Sequence, residues 1–191
     1  MIIGKISDKQ LATEILAAAY TTNDTINETI RRDHRHLQRL RSLMEYSFDV
    51  ALDFGRICFS DDRQAVALII LPDKKKVTLR SICRDIKLVM KITGLKNALK
   101  ALDREKAISK VQGENKIYHI WYLGTFPHAT GTGIGTALMK DLIQDAQKEG
   151  RPIYVESRIP KNTVWYEKRG FSIYRYLEHA GRRWACLRIE V

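Results

Sequence analysis

Apolar and polar positions change period several times along the 191-residue chain, and each change marks an element. The opening MIIGKIS is a short β-like run; Ser7 or Asp8 then stands where an N-cap is expected, and KQLATEILAAAY reads as the helix. In NETIRRDHRHLQRLRSLMEYSFDVAL, Ile30, Leu37, Leu40, Leu43, Met44 and Phe48 recur mostly at three- and four-residue steps. That spacing predicts a second, longer helix. GRICFS and QAVALIILP are β-branched runs joined by Asp61-Asp62-Arg63, the pattern of a hairpin.

From Asp73 to Gly113 the texture turns basic, with twelve lysines and arginines against four acids. Leu79, Ile82, Cys83, Ile86, Val89 and Met90 mark one face of a helix there, and Arg80, Arg84, Lys87 and Lys91 the other. The apolar face is expected to pack; the basic face is either solvated or a cover over an anionic ligand. KIYHIWYLGTFP follows as a long strand closed by Pro127, then a glycine-rich stretch and the helix GTALMKDLIQDAQKEG, stopped by Gly150. PIYVESR reads as a buried strand, NTVWYEKRG as a short helix, and the remainder as two strands around HAGRR. Helices between strands through the middle predict an α/β fold, a mixed sheet with a hairpin at each end.

Composition narrows the function classes. Hydrophobic residues are 45% and charged ones 29% of the chain, as in a single globular domain. No apolar run reaches a membrane span, and the first residues lack a secretory signal's apolar core. Cys58, Cys83 and Cys186 are an odd number without paired spacing, so reduced thiols in a cytoplasmic protein are expected, with neither disulfide framework nor zinc site. His34 and His36, two apart on a helix, fall on different faces and do not suggest a metal. The formal charge of +11 favours polyanions or phosphate-bearing ligands. A basic nucleic-acid-binding module is therefore an alternative. No base-stacking platform, helix-turn-helix or zinc-finger spacing supports it, and no nucleic acid is expected.

The stretch PHATGTGIGTALM, residues 127–139, carries the most specific chemistry. Glycines this dense, between a strand and a helix, suit an anion held by main-chain amides. A Walker loop would need Lys after its last glycine, and none is there. A dinucleotide fingerprint would need a third glycine where Thr136 stands. Thr130-Gly131-Thr132-Gly133-Ile134-Gly135 instead resembles the Gln/Arg-x-x-Gly-x-Gly/Ala signature of the GNAT family of N-acetyltransferases. VESRIPKNTVWYEKRGF resembles that family's second signature. The resemblance covers residues 118–178 closely and the rest through element order, and is strongest to small-molecule or broad-specificity members.

The resemblance implies one N-acetyltransferase domain over 1–191, with a basic helical segment at about 74–113. The implied sheet is mixed and mostly antiparallel, flanked by helices and splayed at its fourth and fifth strands. Acetyl-CoA is the implied cosubstrate, with no metal. Its pyrophosphate is expected at the amides from Gly131 to Thr136, including Thr132, Gly133, Ile134 and Gly135. Thr130 replaces the family's usual Gln or Arg, which weakens a side-chain contact to phosphate there. Leu123 and Thr125 are expected to pair with the pantetheine arm, and the Leu123–Gly124 backbone to face the thioester carbonyl. Asn162 matches a residue that meets the cofactor near the arm, although helix capping also accounts for it. Tyr166 matches the residue that protonates the departing thiolate, although a core role also accounts for it.

Many family members carry a carboxylate base on the fourth strand. HIWYLG has none, and His119 and Glu156 are the candidates, each also readable as structural. The expected acceptor is a small-molecule amine, attacked without a covalent enzyme intermediate. Its pocket is built by the first two helices and the segment before the fourth strand, with Tyr118, Trp121 and Tyr122 as candidate lining. A noncatalytic acyl-CoA sensor on the same fold is the other alternative; neither acceptor identity nor oligomeric state is encoded in a motif.

Overall fold

The computed structural model describes residues 1–31, 33–113 and 116–190. Its first half runs β1 (Ile2–Ile3), α1 (Lys9–Tyr20), α2 (Asp24–Asn27), α3 (His36–Phe54), β2 (Gly55–Phe59), β3 (Ala65–Ile70), α4 (Leu79–Leu88) and α5 (Leu95–Gln112). The second half runs β4 (Tyr118–Thr125), α6 (Ile134–Lys148), β5 (Ile153–Ser157), α7 (Pro160–Glu167), β6 (Ser172–His179) and β7 (Arg182–Ile189). The strands form one sheet in the order β1-β2-β3-β4-β5-β7-β6. Every neighbouring pair is antiparallel except β4 and β5. The mixed, mostly antiparallel sheet flanked by helices is thus as expected.

All six residues of β3 are buried, because helices cover both faces of the sheet. Val66, Leu68 and Ile70 join a core with Leu16 of α1 and Phe48 of α3. Ala65, Ala67 and Ile69 join the opposite core with Leu138 and Leu142 of α6. Among the described residues no helix is long and apolar enough to cross a membrane.

Three local expectations are corrected. The long helix does not begin near Asn27: α2 ends there, capped by Asn23, whose Oδ1 accepts from the Ile26 amide at 3.1 Å, and α3 starts only at His36. Asp33 accounts for the break, accepting from the Arg35 amide at 2.9 Å and from Arg39 Nη2 at 2.7 Å. A short acid that satisfies local donors competes with helical backbone bonding. Arg32 lies outside the described residues. Ile30, read as a helix-face residue, is buried from the connecting segment instead.

The basic segment comprises two helices. α4 and α5 are separated by a π-helical turn over Val89–Thr93 and by Gly94 at φ 75°. The apolar face of α4 does not pack: Leu79, Ile82, Cys83, Ile86 and Met90 are exposed. Of its polar positions, Arg84 turns inward to pair with Asp53 of α3 at 2.7 Å, and Asp85 accepts from Tyr46 Oη at 2.9 Å, while Arg80, Lys87 and Lys91 stay exposed. Lastly, Asp8 holds the N-cap position of α1, but its carboxylate accepts from the Lys5 amide at 2.7 Å and caps no α1 amide.

Gly55 joins α3 to β2 with no room to spare, since a Cβ there would lie 1.8 Å from the Ile69 carbonyl oxygen. Gly55→Ala is expected to cost at least about 1–3 kcal/mol, the usual range for overpacking. A thermal melt should show Tm falling by several degrees, roughly 2–4 °C per kcal/mol. An unchanged Tm would mean that the Ile69 carbonyl yields freely.

Candidate active site

The site starts where pairing stops. β4 and β5 pair only at Tyr118–Ile153 and His119–Tyr154, and beyond those residues they part. The Phe126 amide donates to Gln64 of the β3 side at 3.0 Å. Strand alternation therefore turns the main chains of Leu123 and Thr125 away from β3 and into the gap. Gly124, paired with Val66, turns its own main-chain groups to β3 instead. Its lack of a side chain serves packing: a Cβ there would lie 2.9 Å from Ala19 Cβ of α1.

The Leu123 groups have a side-chain partner that the sequence did not single out. Tyr20, the last residue of α1, donates its hydroxyl to the Leu123 carbonyl at 3.1 Å and accepts from the Leu123 amide at 3.3 Å. Nothing in the linear spacing of Tyr20 marks it; only the packing of α1 on β4 brings it there.

A cavity of about 120 Å³ occupies the gap. Its wall includes Tyr20, Leu123, Asn162 and Tyr166, with His119 and Glu156 further in. His119 Nε2 lies 2.8 Å from Glu156 Oε2, and Gln112 Nε2 donates to Glu156 Oε1 at 3.0 Å. Both side chains of the pair are more than nine-tenths buried. Burial by itself lowers the His119 pKa, but the Glu156 charge and hydrogen bond, with Glu105 behind them, outweigh it and raise the value above 6.5.

Tyr166 comes from α7, whose first residue is Pro160 and whose N-cap is Ile159. Asn162 is thus inside the first turn, so the capping account of it does not hold, and its exposed side chain lines the cavity. Tyr166 is buried edge-on against Trp165 and Phe171, with centroids at 5.1 and 5.3 Å. Among the described residues its hydroxyl has no hydrogen-bond partner, and it belongs to the cavity wall. Burial, reinforced by Tyr20 and the Glu156 charge, raises the Tyr166 pKa and keeps the phenol protonated.

The glycine stretch forms a turn at the head of α6. Gly131 and Gly133 have φ of 84° and 90°, a region costly for residues with a Cβ, and a side chain at either would project into open space. Thr136 and Thr132 spend their amides inside the turn, on Gly133 O at 2.9 Å and Ala129 O at 3.5 Å. The amides of Gly131, Gly133, Ile134 and Gly135 have no backbone acceptor among the described residues, so four of the six expected donors are free at a helix N-terminus. Arg169 joins them. Its guanidinium lies 3.7 Å from the Trp165 ring centroid and donates to Thr136 Oγ1. That supplies a cation beside a loop where Thr130, whose hydroxyl meets Thr125 at the end of β4 and the Phe126 carbonyl, supplies none. The sequence held one signal for it, the basic residue before Gly170.

Among the described residues, no three of His, Cys, Asp and Glu converge as a metal would need. His34 precedes α3, and His36 Nε2 lies 3.0 Å from Asn27 Oδ1.

Residues 99–171 match the model of the acetyltransferase (GNAT) family. The whole chain is similar in fold to a histone acetyltransferase HPA2 and related acetyltransferase of Corynebacterium glutamicum. That likeness has a TM-score of 0.74 at 21% identity and covers 99% of this chain and 94% of the other. It is similar also to the Drosophila melanogaster polyamine N-acetyltransferase, with TM-score 0.60, 12% identity and coverage of 100% and 99%. A third likeness is to the Escherichia coli ribosomal-protein-S18-alanine N-acetyltransferase, with TM-score 0.54, 15% identity and coverage of 98% and 89%. The fold is that of the GNAT acetyltransferases, and residues 99–171 carry the family's sequence pattern.

The His119–Glu156 pair makes a measurable statement. A His119 pKa raised in the folded state contributes stability below the unfolded value of about 6.5, lost as pH rises through the folded value. An NMR titration should give His119 a midpoint above 6.5, falling below it in Glu156→Gln, where burial acts without its counter-charge. A wild-type midpoint at or below 6.5 would contradict this account.

Proposed function

We propose that this protein is an acetyl-CoA-dependent N-acetyltransferase that acetylates a primary amine of a small molecule by direct attack. The observation that carries the reading is convergence on one cavity: the Leu123 main chain, the Tyr166 hydroxyl and the His119–Glu156 pair meet where β4 and β5 part. Acetyl-CoA supplies an acetyl group activated as a thioester.

The chain's own groups divide the remaining work. The free amides of Gly131, Gly133, Ile134 and Gly135, with Arg169, suit the cosubstrate's phosphates. Leu123 and Thr125 offer cleft-facing main-chain groups to its arm, and the Tyr20 hydroxyl yields those of Leu123 on binding. The Leu123 amide is the oxyanion donor this geometry favours, since Gly124 turns to β3. An amine arrives protonated at neutral pH, and the buried His119–Glu156 pair accepts that proton as one coupled unit. Tyr166, protonated and without a partner among the described residues, donates to the departing sulfur. The relatives that act on polyamines and on a ribosomal protein support amine acetylation as the class of reaction.

Incubation with acetyl-CoA and a panel of primary amines, read by free thiol release, tests the reading. Tyr166→Phe keeps the ring and removes the proton donor, so kcat should fall about 10²–10⁴-fold while acetyl-CoA affinity changes little. Binding of acetyl-CoA without thiol release from any amine would return the sensor in place of the enzyme.

Arg169→Gln addresses the phosphate end separately. Calorimetry should show acetyl-CoA affinity falling about tenfold, roughly 1.4 kcal/mol, with Arg169→Lys recovering part of it. An unchanged affinity in a folded Arg169→Gln protein would remove Arg169 from the site.

A further inference from the structure

The cavity between β4 and β5 adjoins a second, larger one of about 550 Å³. Thr25, Arg104, Arg158 and Trp184 line both. The outer wall carries Lys100, Arg104, Arg158 and Arg182 against a single carboxylate, Glu28. That carboxylate is already committed: its oxygens accept from Arg158 Nη1 at 3.1 Å and Arg182 Nη2 at 2.8 Å.

Of the two cations that Glu28 does not engage, Lys100 is exposed and Arg104 is shielded. Its side chain is only 20% exposed, and its one carboxylate neighbour, Glu105 on the inner cavity wall, forms a loose ion pair with it at 3.8 Å without a hydrogen bond. Among the described residues the guanidinium donates no hydrogen bond; it stands over the Trp184 ring, 5.5 Å from the centroid, where Arg158 also lies at 5.6 Å. Trp184 repeats the pattern, buried with its Nε1 donor unpartnered among the described residues. A buried donor without a partner is costly, as Trp184 Nε1 is here; the Arg104 donors face the cavities, within reach of a bound group. An arginine fork matches the two oxygens of a carboxylate or phosphate.

We propose that the acceptor amine carries an anionic group, a carboxylate or a phosphate, which Arg104 binds at the junction of the two cavities while the amine reaches His119 and Glu156. This rests on the N-acetyltransferase reading and specifies its substrate class. The excess positive charge of the outer wall disfavours an acceptor whose far end is a second ammonium.

Matched amines differing in the far group decide it. In thiol release, 4-aminobutyrate should exceed butylamine in kcat/KM by at least about tenfold, with 1,4-diaminobutane poorest. O-Phosphoethanolamine against ethanolamine gives the phosphate arm, and the larger ratio names the anion. In Arg104→Gln the anion preference should collapse to within about twofold, and Arg104→Lys should restore part of it. Equal rates for charged and uncharged amines in the wild type, or a preference that survives Arg104→Gln, would overturn the proposal while leaving acetyl transfer intact. Absence of thiol release from every amine would instead count against the enzyme reading. Calorimetry in the presence of coenzyme A then judges Arg104 by itself. Binding of 4-aminobutyrate or O-phosphoethanolamine that weakens at least about tenfold in Arg104→Gln supports the proposal, and binding that is absent or unchanged overturns it.

Discussion

The parallel contact between β4 and β5 is two residue pairs long, and the rest of the site depends on its shortness. Strands that stay paired use up their main-chain donors and acceptors; strands that part leave them needing partners. Here the parting turns Leu123 and Thr125 into an unpaired edge inside the protein. The Tyr20 hydroxyl closes off Leu123 with one group acting as donor and acceptor at once. The same opening exposes one side of Tyr166 and leaves the cavity that His119 and Glu156 line. A longer β4–β5 pairing would fill that space with backbone.

Charge follows the same architecture. The excess of +11 is not one uniform basic surface. Several cations hold elements together: Arg56 bridges β2 to Asp145 of α6 at 2.6 Å, and Arg151 binds Asp73 at 2.8 Å. Others stand free of such bridges, with Arg169 beside the glycine turn and Arg104 at the junction of the cavities. The two are alike in stacking on a tryptophan, an arrangement that steadies a guanidinium without using its hydrogen-bond donors. The basic run before β4 is divided accordingly. α4 pairs Arg84 with α3 and leaves Arg80 and Lys87 exposed, whereas α5 sends Arg104 and Glu105 to the site.

What was legible in the sequence was whatever one side chain pattern or one backbone requirement controls. The strand and helix order, the β2–β3 hairpin, the glycine turn before α6, and the α7 positions of Asn162 and Tyr166 all rest on local spacing. Local spacing failed where two chemistries competed on one segment. Asp33 out-competed helical bonding ahead of α3, and α4 is held to α3 by the Arg84–Asp53 pair while its apolar positions stay exposed.

The site divides along the same line. Sequence by itself determined the glycine turn at the head of α6 and the place of the tyrosine on α7, because each needs only neighbours in the chain to take its shape. Only the tertiary structure decided that His119 and Glu156, 37 positions apart, share one hydrogen bond; that Tyr20 reaches Leu123 across 103; and that Arg104 of α5 meets Trp184 of β7. Such contacts have no periodicity to announce them. They exist because the sheet order sets β4 beside β5 and β5 beside β7, and helices from the first half of the chain close over the gap.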